Sequence, residues 1–144
     1  MGKPSRHLSR QAAVQALYQW QLTGQPPGDI EQHFISDHEL KGVDVEYFHE
    51  LVCQVPLHQH ELDDHLTGNL DRGINEVDPV ERAILRLGAY ELEFHLEIPY
   101  KVVINEAVEL AKTFGAEHGH KYVNAILDKV AVKLRAAEIG CRAS

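Results

Sequence analysis

The residues predict an all-α fold of six or seven helices, and two observations carry this. Apolar residues recur at three- and four-residue intervals along most of the chain, while the strict polar/apolar alternation of a half-buried strand is nearly absent. The apolar runs are also punctuated by residues that start and stop helices, Ser and Asp ahead of them and Gly and Pro behind. The chain has 144 residues, 44% hydrophobic and 25% charged. That composition is globular. The length suits one domain over 1–144, able to bury roughly two-thirds of its unfolded surface without a metal or disulfide staple.

Helix one starts near Ser5 or Ser9, either of which can cap it, and runs to Leu22 with Ala13, Val14, Leu17 and Leu22 at helical intervals. "TGQPPG" stops it, because two glycines and two prolines cannot continue a helix comfortably. A short helix over 29–36 and a loop through Gly42 follow. Asp44 caps the next helix, whose stripe is Val45, Phe48, Leu51, Val52 and Val55. Pro56 breaks or kinks that helix, and a further helical run reaches Leu66. "GNLDRGI" is a punctuated loop. Asp78 as cap and Pro79 at the first helical position then open "VERAILRLGAYELEF", which runs to about His95. Pro99 ends the connection to "YKVVINEAVELAKTFG", closed by Gly115. The last helix covers 117–138 and turns Val123, Ile126, Leu127, Val130, Ala131 and Leu134 inward.

Charge is unevenly divided. The formal net is -8, from 14 Lys+Arg against 22 Asp+Glu. Residues 1–28 carry Lys3, Arg6 and Arg10 and no carboxylate, residues 29–111 stand at -14, and residues 112–144 at +3. Cations at the start of helix one oppose the helix dipole, which favours anions there by roughly 0.3–1 kcal/mol each. Basic ends that meet would form a footprint for a polyanion on an acidic body; solvated tails account for the same charges.

The chemistry-bearing clusters narrow the reading. In "HQHELDDH", His58, His60, His65, Asp63 and Asp64 lack zinc-protease spacing and have no cysteine pair, so a solvated polar face is preferred and no metal is expected. Glu91 with Glu93 and Glu106 with Glu109 have no nucleophile or phosphate-cradling loop beside them. No Ser-His-Asp set, Walker loop or dinucleotide fingerprint occurs, and nothing argues for an enzyme or a cofactor. Cys53 and Cys141 read as unpaired thiols of a reducing compartment, and no apolar run reaches membrane-span length, so a cytoplasmic protein with no membrane role is expected. Arg6 and Arg10 lie one turn apart, with His7 beside Arg6 and Lys3 upstream. "GHKY" puts His120, Lys121 and Tyr122 at the start of the last helix, where free N–H groups favour phosphate. A cation for phosphate beside a ring for a base is the equipment of a single-stranded nucleic-acid binder; a core Tyr122 with solubilising cations is the alternative.

The segments "AVQALYQWQL", "VERAILRLGAYEL" and "PYKVVINEAVELAKTFGAEHGHKYVNAILDK" resemble the NusB family of transcription antitermination factors over nearly the whole chain. The resemblance implies two small helical bundles packed together, no enzymatic activity, and binding of a boxA RNA element of ribosomal RNA leaders together with NusE, a small-subunit ribosomal protein. It further implies work within the elongation complex beside other Nus factors. By matching position it assigns Arg6, Arg10, Lys121 and Tyr122 to RNA, with Lys3, His7, His118 and Gly119 beside them, and Tyr18, Glu81 and Arg86 to the ribosomal partner. His7 and Leu8 stand where the family commonly has further arginines, which implies RNA binding that is weaker or pH-dependent through His7 and His118. A half-buried core role for Tyr18, a homodimer of the free protein, and a helical scaffold that binds only protein stay open.

Overall fold

The computed structural model describes residues 3–37, 40–115 and 117–143, the side chains of 141–143 apart; the expected thiol of Cys141 and residues 38 and 39 of the expected loop lie outside the described residues. Among the described residues there are eight α-helices and no strand: α1 (Arg6–Thr23), α2 (Pro27–Ser36), α3 (Val45–Leu57), α4 (Gln59–Thr67), α5 (Pro79–Phe94), α6 (Tyr100–Phe114), α7 (Gly119–Leu134) and α8 (Ala136–Ala143). One 3-10 turn, Ile74–Glu76, precedes α5. The count exceeds six or seven because the helix expected over 117–138 is two. Arg135 ends α7, and the chain restarts as α8. Two compact units result, Met1–Gln59 and His60–Ser144.

The first unit is a three-helix bundle whose core holds Leu17, Ile30, Phe34, Phe48, Leu51 and Val55. Ser5 caps α1 by accepting from the Leu8 N–H, and Asp44 caps α3 by accepting from the Tyr47 N–H. The two caps are tied to each other. The Ser5 N–H donates to the Gly42 carbonyl at 2.9 Å, and buried Ser9 donates its hydroxyl to the Asp44 carbonyl at 2.7 Å. The starts of α1 and α3 therefore lie side by side. Gly24 ends α1 in the left-handed region (φ 71°), where glycine costs least. Pro56 is held inside the last turn of α3, which ends one residue later.

The second unit departs from a simple bundle, because α5 is buried nearly all round: every residue from Arg82 to Leu92 is buried. Asp78 caps it, accepting from the Val80 and Glu81 N–H groups. The helix lies against α6 and α7. At Gly88 an added Cβ would stand 2.7 Å from Leu127 Cδ1 on α7. At the far end Arg135, 3% exposed, donates to the carbonyls of Leu92 (2.7 Å), His95 (2.9 Å) and Ile98 (2.9 Å) and to Glu138 (2.7 Å). These last carbonyls of α5 and its loop have no helical partner of their own, and a cation suits that end of the dipole. Gly115 leaves α6 with extended backbone; a Cβ there would meet the Ala111 carbonyl oxygen at 2.7 Å.

These contacts fix an expected outcome. Gly88→Ala gains helix propensity but overpacks a core side chain, at a typical cost of about 1–3 kcal/mol, so denaturant titration should show no gain or a net loss of stability. Gly28→Ala, with nothing within 4 Å of the new methyl, should be neutral or stabilising by up to about 1 kcal/mol.

Candidate nucleic-acid interface

Three helices begin without an acidic residue in the first turn, α1, α6 and α7, whereas α2, α3, α4, α5 and α8 have Asp29, Glu46, Glu61, Glu81 and Glu138 there. The RNA residues expected from the sequence fall on α1 and α7. In the first unit Lys3, Arg6 and His7 are exposed. The Arg6 guanidinium lies 4.2 Å from the centre of the Tyr47 ring, and that of Arg10 lies 5.5 Å from it. Arg10 itself is buried, at 5% exposure. Its charge is held against the Tyr47 ring, a contact worth about 2 kcal/mol or more when desolvated. Tyr47 starts α3 from buried position and has no mark in the sequence that distinguishes it from a core aromatic.

In the second unit, His118 sits at the N-cap of α7 with φ 71° and ψ -3°, among the described residues the one non-glycine with positive φ. Such backbone costs roughly 1–2 kcal/mol and tends to mark functional turns. The turn exposes the His118 imidazole and places His120 and Lys121 beside it. With Lys112, Gly115 and Glu117 they line a depression of about 430 Å³. Tyr122 follows, half-buried. Its hydroxyl donates to Asp71 at 3.4 Å, and the Arg72 guanidinium stands 5.2 Å from its ring centre. Arg72 is itself held by two bonds to Asp71, at 2.9 and 3.1 Å. The hydrogen bond from Arg72 keeps the Asp71 carboxyl below its usual range; burial, then the Asp71 charge, pushes the Tyr122 phenol up. Arg72 and Asp71 went unmarked in the sequence because a punctuated loop gives no register.

The residues expected at the partner surface divide differently. Tyr18 is 37% exposed, on α1. Glu81 is half-buried at the start of α5, and its Oε1 lies 2.5 Å from where a Cβ at Gly119 would be. Its carboxylate thus stands against the first residue of α7, in the field of that helix's positive end. Burial, and secondarily Asp78, raises the Glu81 carboxyl above its ordinary value. Arg86 is 3% exposed and forks onto Asp63 of α4 with two bonds of 2.9 Å. A buried pair of this kind costs roughly 3–5 kcal/mol to break from one side, so its guanidinium is committed inside the protein. The histidine-rich run likewise disperses: His65 pairs with Glu93 at 2.8 Å and His58 with the Gln54 carbonyl at 2.9 Å.

A sequence model of the NusB family matches residues 7–132. The chain is 60% identical over 138 residues to the transcription antitermination protein NusB of Nitrosococcus oceani, covering 96% of this chain and 93% of that one. The chain belongs to the NusB family. It is also 55% identical over 132 residues to NusB of Shewanella amazonensis, covering 91% and 98% of the two chains. Among solved structures it resembles NusB of T. maritima, with TM-score 0.76 and 32% identity over 90% of this chain and 92% of that one. It also resembles a chain of a complex of the antitermination factors NusB and NusE with double-stranded RNA, with TM-score 0.80 and 31% identity over 88% of this chain and 95% of that one. The NusB match takes in the α7 turn and Tyr122 and leaves Lys3 and Arg6 outside it. No helix among the described residues is long and apolar enough to cross a membrane.

The raised Glu81 carboxyl has a testable sign. The stability carried by its neutral form is complete below the ordinary carboxylate range and is lost as pH rises through its own, higher value. Glu81→Gln should therefore gain on the unmodified protein in stability as pH is raised from about 4 to 7, read by parallel denaturant titrations. A difference that does not vary with pH would show that Glu81 is not desolvated.

Proposed function

We propose that this protein is an antitermination factor that binds boxA-type single-stranded RNA of ribosomal RNA leaders together with the ribosomal protein NusE, supporting transcription of ribosomal RNA in the cytoplasm beside other Nus factors. Family membership supports the reading, as does the RNA and NusE in the complex of the similar solved chain. The observation that carries it is the turn entering α7: His118, His120 and Lys121 around a depression with no acid in the first helical turn, followed by Tyr122 under Arg72. Phosphate binds the cations and the free N–H groups, and a base stacks on the Tyr122 ring or beside the Arg72 plane. Gly119 flanks these contacts, and His7 lies beside Arg6 on α1. In the first unit Lys3 and Arg6 offer RNA further cations, while Arg10 holds Tyr47 in place beneath Arg6. The whole of 1–144 acts as one RNA- and protein-binding domain.

NusE docks against Tyr18 and Glu81, with Arg86 bracing the surface from beneath through Asp63. Glu81 then links the two ligands. Its carboxylate stands where a phosphate at the start of α7 would be drawn, and a basic partner that neutralises or withdraws it favours RNA. By linkage each ligand strengthens the other equally, with a coupling of typically about 1–3 kcal/mol.

Fluorescence titration with labelled boxA-like RNA, single-stranded and duplex, tests this. With about three phosphates neutralised on a single strand the log–log salt slope should be near -2, and Lys121→Ala or Arg6→Ala should each flatten it by about 0.7. Tyr122→Ala should cost about 1–3 kcal/mol of RNA affinity and Tyr122→Phe little. Glu81→Gln should raise RNA affinity about two- to fivefold without NusE, the size of one charge at a helix start, and should remove much of the enhancement by NusE. Equal RNA affinity with and without saturating NusE contradicts the coupling. Salt slopes unchanged in both cation variants would leave the alternative, a scaffold that binds protein alone.

A further inference from the structure

In the first unit α2 and α3 bring together three side chains with metal-ligand chemistry. His49 and Cys53 lie one turn apart on α3, and Glu31 reaches them from α2. His49 Nδ1 is 2.8 Å from both Glu31 carboxylate oxygens, and the Cys53 sulfur is 3.7 Å from Glu31 Oε1 and 3.7 Å from His49 Nδ1. One donor atom from each lies within 4.8 Å of the other two. We propose that Glu31, His49 and Cys53 form a three-ligand site for a divalent transition metal of the zinc class, with water in a fourth position.

The donor set selects the metal. A thiolate and an imidazole suit zinc, cobalt and their neighbours and disfavour magnesium and calcium, which take oxygen ligands. The spacing agrees with tetrahedral coordination. Metal–sulfur and metal–nitrogen or –oxygen bonds of about 2.3 and 2.0–2.1 Å put neighbouring donors roughly 3.3–3.6 Å apart. The two sulfur distances already match to about 0.2 Å, and only the Glu31–His49 hydrogen bond must open, by roughly 0.5 Å. On binding, the Cys53 thiol gives its proton to solvent and the imidazole keeps one hydrogen on Nε2. One thiolate and one carboxylate then balance the two positive charges, leaving a site with no net charge. The geometry also provides both support and entry. The Glu31 side chain is 10% exposed and anchored on α2, whereas that of His49 is 61% exposed, leaving an open side for the ion and its water. Phe34 of α2 and Phe48 of α3, with ring centres 5.7 Å apart, hold the two helices together beside the site. Bound metal would pin α2 to α3.

The test uses the full-length reduced chain in a Cys141→Ser background, in which Cys53 is the sole thiol, titrated with cobalt(II). The expected result is saturable binding of one equivalent, with a thiolate-to-cobalt charge-transfer band in the near ultraviolet and the strong visible bands of four-coordinate cobalt. Zinc should displace both, and magnesium neither. His49→Ala, at an exposed position, and Glu31→Gln should each weaken binding by at least about tenfold, equivalent to 1.4 kcal/mol, with circular dichroism confirming that both remain helical. Should Glu31→Gln not fold, His49→Ala decides alone. Absence of the charge-transfer band at stoichiometric cobalt, or binding of equal strength in His49→Ala, overturns the site.

Discussion

The seating of α7 along α5 is the constraint on which the second unit depends. It is fixed at three heights. Glu81 at the start of α5 meets Gly119 at the start of α7, Gly88 meets Leu127 midway, and the C-terminal carbonyls of α5 and its loop meet the Arg135 guanidinium at the far end. Starts and ends coincide, so the two helices run parallel, and α6 returns antiparallel between their sequences. At Gly88 a Cβ would have to displace buried Leu127, at Gly119 it would push the Glu81 carboxylate aside, and the third contact needs a buried cation with several acceptors. Close packing of this kind passes displacement on rather than absorbing it. A shift of α5 therefore moves the turn that carries His118, Lys121 and Tyr122.

The same seating explains how charge is used. α5 buries Arg82, Arg86 and Glu91, and ions in a core persist only with partners. Arg86 takes Asp63, and Arg82 takes the carbonyls of Ile74 and Asn75 just upstream. Exposed Arg6, Lys101 and Lys121 stand in the first turns of α1, α6 and α7, the three helices that begin without a carboxylate. Two carboxylates stand at the α7 turn, Glu117 beside His118 and Glu81 reaching over from α5, and the second gives the acidic middle of the chain a direct route there. The first unit uses a related device, pairing the starts of α1 and α3 through Ser5, Ser9 and Asp44 and setting Tyr47 beneath the cations of α1.

Local signals in the sequence were sufficient for most helix boundaries. Ser5, Asp44 and Asp78 act as caps because each has a side-chain oxygen one to three residues ahead of free N–H groups, and Pro79 occupies the position that lacks a donor anyway. The uneven charge was equally visible. Long-range contacts were not. The break at Arg135 depends on carbonyls some 40 positions upstream, so periodicity alone reads α7 and α8 as one helix, and counts one helix too few. Arg10 and Arg86 have the letters of surface cations, and only the positions of Tyr47 and Asp63 show them to be interior. Arg72 beside Tyr122, and Glu31 beside His49 and Cys53, join elements whose register no local pattern supplies.

The proposed RNA contacts lie at the turn entering α7 and at the start of α1. Amide chemical-shift mapping of the whole protein during titration with a boxA-like single strand tests them most directly. Shifts should concentrate at residues 117–122, at Arg72 and at residues 3–10, and saturate, with α4 and the middle of α6 unaffected. Shifts confined to the acidic faces of α3 and α4, with residues 117–122 unmoved at saturation, would contradict them.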